Sequence, residues 1–165
     1  MAKKKKSSLN LGKILYAVAA VLGIVALIML FVEAVKVPDT DLGVLGTIEG
    51  EGYTGLQVAF GKEDELAFSF MALLPVLLVV AGAVLSALQI FAKKGIKVLD
   101  FVAIVCFVAA GVLYFIMPSF IVAAETVAGL VIEKIEYVLA IGSIIAAICS
   151  ILAGATILVK ALLKK

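Results

Sequence analysis

Histidine, arginine and tryptophan are missing from this chain of 165 residues, and cysteine and proline are scarce, at two and three. Each absence removes a class of chemistry. Without histidine there is no side chain that titrates near neutral pH unaided and no imidazole to hold a metal. Without arginine there is no planar fork to grip a phosphate or carboxylate at two points. No stretch joins a nucleophile to a base or gathers a metal set, so no catalytic, cofactor or metal-binding residue is assigned and no enzyme is expected. Cys106 and Cys149 fall inside apolar runs, where a thiol behaves as a small hydrophobic group. If their helices are antiparallel the two thiols share a similar depth, and a disulfide between them is geometrically conceivable.

What the chain has in excess is apolar length. Its hydrophobic share is 65% and its mean hydropathy +1.28, against about 45 to 50% apolar residues in a soluble globule. Uncharged runs at Ile14–Val32, Leu66–Phe91, Phe101–Met117 and Tyr137–Val159 each approach or exceed the length that crosses a bilayer core of about 30 Å. The expected fold is an all-α membrane protein, a four-transmembrane-helix bundle with a small β-hairpin in the first extracellular loop, forming one domain over residues 1–165. Outer loops are placed at 33–65 and 118–136, and an inner turn at 92–100. Val32-Glu33-Ala34 also has the spacing of a signal-peptide cleavage site, a reading that would leave three spans. Pro75 is placed to kink the second span, and Pro118 either kinks or ends the third.

The loops carry their own patterns. In 33–65, Gly43–Ile48 and Tyr53–Phe60 flank Glu49-Gly50-Glu51-Gly52, and Leu56, Val58 and Phe60 alternate with Gln57 and Ala59. That alternation predicts a hairpin resting on the helix ends. Beyond Pro118, Glu125, Gly129, Glu133 and Glu136 recur at helical spacing opposite Val127, Leu130, Val131 and Ile135, which predicts an amphipathic helix.

Charge is sorted by position. The N-terminal leader, the 92–100 turn and the C-terminal tail hold eleven lysines against Asp100, whereas the other two loops hold three lysines against eleven carboxylates. Lysine retention sets topology, so both termini are expected in the cytoplasm of a multi-pass protein of the cell membrane. None of the four apolar runs contains an ionisable side chain. Proton-coupled pumps and carriers of charged substrates place one at mid-depth, so a transporter is disfavoured. The acidic set Asp39, Asp41, Glu49, Glu51, Glu63, Asp64 and Glu65 would suit a divalent cation by ligand type, but it lacks the EF-hand spacing and reads first as solvated loop charge.

Small residues supply the remaining motif. Gly142, Ala146, Ser150 and Gly154 recur every fourth position and form a ridge that lets another backbone approach, with echoes at Ala19 and Gly23 and at Gly82 and Ser86. Sequence does not say whether these eight residues pack helices within one chain or between copies. The run Tyr53-Thr54-Gly55-Leu56-Gln57-Val58-Ala59-Phe60-Gly61 with Phe68-Ser69-Phe70-Met71 resembles small four-span proteins of low-GC bacteria, a likeness that brings no activity with it. The layout also looks like the claudin-type tetraspan arrangement. Claudin-type first loops carry a Gly-Leu-Trp step and a cysteine pair, and here Gly55-Leu56 is followed by Gln57 with no cysteine in the loop, so only the layout carries over. The expected function is a non-enzymatic membrane protein of structural or self-assembly type, packing through its ridges and outer hairpin. The second reading is a small oligomeric ion or solute channel. Expected partners are the lipid bilayer and other copies of the chain in a homo-oligomer, with no nucleic acid and no cofactor.

Overall fold

In the computed structural model, which describes residues 2–41, 47–63, 66–92, 96–121 and 136–163, four long helices stand side by side and a small sheet caps one end of them. The long helices are α1 (Ala2–Ile28), α3 (Phe70–Phe91), α4 (Lys97–Phe115) and α5 (Ile141–Leu163). All four are long and apolar enough to cross a membrane, and the chain is a multi-pass membrane protein. Each packs on two neighbours in the cyclic order α1, α3, α4, α5, so α1 lies diagonal to α4 and α3 to α5. The end of α3, the start of α4, the N-terminal part of α1 and the C-terminal end of α5 gather at one end, opposite the sheet.

A heptad seam explains the packing. Buried positions step by three and four along every helix: Tyr16, Ala19, Gly23, Ala26 and Leu30 from α1 onward; Ala72, Pro75, Val79, Gly82, Ser86 and Gln89 on α3. Asp100, Ala103, Phe107, Ala110, Tyr114 and Met117 continue the pattern from α4, and Ser143, Ala146, Ser150, Ala153, Ile157 and Lys160 on α5. Such a repeat keeps one narrow face of each helix toward its partners while the rest faces outward. The outward faces carry large apolar side chains, among them Val21, Ile24, Leu77, Val84, Val105 and Leu158, as lipid requires. Gly142 and Gly154 are buried beside the α5 seam, which widens it.

At mid-height the seam closes on Phe107, which is completely buried. A Cβ on Gly82 would stand 3.0 Å from three atoms of its ring and one on Gly23 3.1 Å from it, while one on Gly154 would lie 3.4 Å from the Phe107 Cβ. Three helices thus give up side chains where the fourth supplies a large one, and the space inside the bundle is filled.

The cap is built from β1 (Glu33–Lys36), β2 (Thr40–Asp41), β3 (Thr47–Ile48), β4 (Gly52–Thr54) and β5 (Val138–Leu139). Its three-stranded antiparallel sheet runs β4-β1-β5, with Val35 opposite both Tyr53 and Leu139, and β2 pairs separately with β3. Strand β1 therefore lies in the middle, at the site where the sequence offered a cleavage motif. Ala34 and Val35 are buried, and Tyr53 meets Tyr137 edge to face at 6.1 Å between ring centres.

Several expectations need correction. Tyr53–Phe60 is not one strand: it ends at Thr54, and Gly55–Phe60 forms a short helix, α2. The reason is local. Thr54 caps α2 by accepting from the Gln57 N–H while the Gln57 side chain accepts from the Thr54 N–H, a reciprocal arrangement that outweighs the weak alternation. The partner of β4 is β1, where the sequence suggested Gly43–Ile48. Helix α3 starts at Phe70, four residues later than Leu66, because the Ser69 side chain caps it through the Ala72 N–H. Helices α4 and α5 are both displaced toward the end bearing the termini, reaching Lys97 and Leu163, and Tyr137–Ala140 belongs to the cap. Pro118 lies in a 3-10 turn, Met117–Phe120, after α4 has ended. Pro75 lies inside α3 and Cys106 and Cys149 are free thiols. The expected helix through Glu125, Gly129 and Glu133 falls largely outside the described residues.

Because Phe107 fills space that three glycines vacate, Phe107→Ala should cost about 3–5 kcal/mol. Gly82→Leu should destabilise as well, and the two changes together should cost less than their sum, since the added side chain occupies the volume the ring left. Thermal unfolding of the single and double variants in detergent checks this. Strict additivity would show that the ring and Gly82 do not meet.

Candidate polar site at the end bearing the termini

The four seams end, at the end opposite the sheet, in four polar residues, one from each helix: Tyr16, Gln89, Asp100 and Lys160. Each lies within five residues of the end of its candidate span, so at about 1.5 Å per residue the cluster sits within about 8 Å of the span ends. Asp100 and Lys160 are only 4% and 6% exposed.

Asp100 is the hub. Its Oδ2 accepts from the Lys160 ammonium at 2.6 Å, and its Oδ1 accepts from the Tyr16 hydroxyl and from the Gln89 amide at 3.1 Å. The Tyr16 hydroxyl accepts in turn from Lys160, whose ammonium also stands 4.3 Å from the Tyr16 ring centre. Lysine thus has a carboxylate, a hydroxyl and an aromatic face as partners, all three favourable to a cation. Gln89 uses the rest of its amide on the α3–α4 connection, donating to the Ile96 carbonyl at 2.8 Å and accepting from the Ile96 N–H at 3.2 Å. Helix direction adds to the pairing. Asp100 is in the first turn of α4 and Lys160 in the last turn of α5, where the helix dipoles favour a negative and a positive charge respectively.

This cluster corrects the expectation that no span holds an ionisable group. Asp100 was assigned to the inner turn and Lys160 to the tail, because both stand next to lysine-rich segments at the edges of apolar runs. Extending each three-four seam by one step would have reached all four residues, so the signal was present in the spacing.

All eight predicted ridge residues are buried within the single chain. Gly23 and Gly82 meet Phe107, Gly154 meets Val108 and Phe107, and Gly142 lies against the backbone carbonyls of Met29 and Glu33. Ala19, Ser86, Ala146 and Ser150 are buried in the seam, and the hydroxyls of Ser86 and Ser150 donate to the carbonyls of Gly82 and Ala146 in their own helices.

The acidic set is dispersed where it is described. Glu51 pairs with Lys62 at 2.6 Å, and Asp39 accepts from the Gly50 N–H at 2.9 Å and lies 3.6 Å from the Lys36 ammonium. Asp64 and Glu65 fall outside the described residues. Among the described residues no three His, Cys, Asp or Glu side chains gather as a metal set. The only buried hydroxyl left without a partner among the described residues is that of Tyr114, beside an apolar crevice lined by Leu30, Met117 and Ala146 that is too narrow for a water molecule. No protein family, curated protein or solved structure matches the chain.

Removing one partner of the buried pair strands the other charge, so Asp100→Leu or Lys160→Met alone should each cost about 3–5 kcal/mol. The double variant should recover most of that loss, since two apolar chains leave no unpaired charge. Urea or thermal unfolding in mild detergent reads the difference; equal losses in the single and double variants would mean that the ion pair itself holds the helices. In the cap, the Gly50 N–H and then the Lys36 ammonium hold the Asp39 carboxyl below the usual aspartate range. Its folded value lies below the unfolded one, so its contribution to the turn is present above the ordinary range near pH 3.9 and fades as pH falls through the lowered value. The Gly50 amide resonance should follow that titration, and Asp39→Asn should abolish it.

Proposed function

We propose that this chain is a non-enzymatic structural protein of the membrane, a self-contained four-span scaffold that holds a small folded cap on the extracellular side with both termini in the cytoplasm. One observation carries the reading: the small-residue ridges that would most readily join copies are consumed inside the chain, around Phe107 and against Met29 and Glu33. The polar cluster supports the same role. Both oxygens of the Asp100 carboxylate are engaged by side chains of the other three helices, an arrangement that fixes helix register. Lysine placement supports the orientation, with the carboxylates Glu33, Asp39, Glu49 and Glu51 at the sheet end and Lys13, Lys97 and Lys160 at the other.

The channel reading would need a pore between copies, since Phe107 and its glycine neighbours fill the axis of one bundle. Two measurements decide. The detergent-corrected mass should be that of one chain, and liposomes carrying the protein should show no conductance above background. A stable oligomer that conducts ions establishes the channel and overturns the scaffold, while an oligomer without conductance replaces the self-contained unit with self-assembly. Cysteine labelling of Ser8 and Thr47 substitutions should reach only the second from outside.

A further inference from the structure

The correction at α2 changes what one segment presents to its surroundings. Read as a strand, Phe60 shares a face with Leu56 and Val58 and rests on the helices. In the structure Val58 and Ala59 are buried and Phe60 points away, 61% exposed. It is not alone. Phe31, Phe68, Phe70 and Met71 are 71%, 55%, 59% and 54% exposed, and short contacts hold their neighbours together. The Ser69 N–H donates to the Ala59 carbonyl at 3.3 Å, which brings the end of α2 to the start of α3. At the other end of α2, a Cβ on Gly55 would stand 3.2 Å from the Leu30 Cα, so α2 also lies against the 3-10 turn Met29–Phe31 that follows α1. Gly61, at φ +89°, turns the chain back directly after Phe60, and a Cβ there would meet the Leu66 carbonyl at 2.8 Å. The aromatic group therefore sits at one corner of the cap, over α1 and α3.

We infer that α2 and the segment Phe68–Phe70 that leads into α3 form an interfacial anchor, seated at the boundary between headgroups and acyl chains of the leaflet on the sheet side, so that this corner of the cap lies in the membrane surface. Continuity carries the choice of occupant. Below Phe70 and Met71 the exposed face of α3 runs on through Leu77, Val80, Val84 and Leu88, the surface that faces acyl chains in a multi-pass protein. Aromatic side chains concentrate at that boundary because their rings accept both apolar and polar surroundings. The segment also has a polar side: Lys62, one residue past the turn, is paired with Glu51, and the two remain 30% and 56% exposed. Exposed aromatic rings next to a solvent-accessible ion pair match what an interface requires. The inference extends the scaffold reading but does not depend on it, since it requires only that α1 and α3 span the bilayer.

Tryptophan is absent from the chain, so single substitutions give clean fluorescence reporters. Phe60→Trp and Phe68→Trp, two exposed positions in the anchor, are compared in liposomes with Val84→Trp on the face of α3 and Glu49→Trp in the cap. Phospholipids brominated near the headgroup should quench the first two more than lipids brominated deep in the chain, and their emission should lie to the blue of Glu49→Trp. Val84→Trp should show the reverse depth preference. Emission from Phe60→Trp and Phe68→Trp that iodide quenches as it does Glu49→Trp, with brominated lipids ineffective, overturns the anchor and leaves the cap in water. Shielding from both iodide and brominated lipid also overturns it, and identifies a second copy of the chain as the cover.

Discussion

Hydrocarbon tails are as apolar as leucine, so helices in a bilayer gain little from hiding apolar surface against one another, and close packing and polar links must hold them together. Both devices occupy the same seam. At mid-height Gly23 and Gly82 admit the Phe107 ring while Gly154 lies beside its Cβ, which brings four backbones near a common axis. At the end of the seam Asp100 engages the other three helices directly, through Tyr16, Gln89 and Lys160. The first arrangement sets how close the helices come, and the second sets how they are aligned along their axes. A one-residue slide of any helix would leave a buried polar group without its partner, at a cost of about 1–3 kcal/mol or more for a charged one.

The cap answers a different problem. Helix ends leave carbonyls and amides without partners, and a structure near the membrane must satisfy them locally. Strand β1 continues directly from the 3-10 turn that ends α1, and takes β4 and β5 on its two sides, so the segments before α2 and before α5 are bound to the same strand. The Ala140 N–H, one residue before α5, donates to the Ala34 carbonyl, and the Ser69 hydroxyl donates to the Phe120 carbonyl. The sheet end is held mainly by backbone pairing, whereas the opposite end is held by side chains.

Span number, helical class and the presence of strands in the first loop could be read from hydropathy and turn residues, because lipid imposes length and apolarity on every span. The phase of the packing was only partly legible. Gly142, Ala146, Ser150 and Gly154 suggest a period of four, whereas the seam runs through Ser143, Ala146, Ser150, Ala153 and Ile157 to Lys160 in steps of three and four. Reading four by four leads off the face before Lys160 is reached. Asp100 and Lys160 were hidden by their surroundings: beside Lys97 and Lys164 they register as topology signals, and only three-dimensional proximity reveals a charge pair. For α2, the signature was in plain view as Thr54 followed three residues later by Gln57, and the alternation of Leu56, Val58 and Phe60 obscured it.

The hub draws on the whole length of the polypeptide. Asp100 and Gln89 belong to one hairpin and are eleven positions apart, but Tyr16 and Lys160 are separated by 144. A ribosome releases these groups in sequence, so the carboxylate and the amide can meet while the last helix is still unmade, and the phenol must wait beside them without its cation. The ammonium that neutralises the hub is the last of the four groups to arrive, on α5. Docking of α5 is thereby the step that neutralises the Asp100 carboxylate, and α1, α3 and α4 assembled without it would hold a bare negative charge in their shared seam.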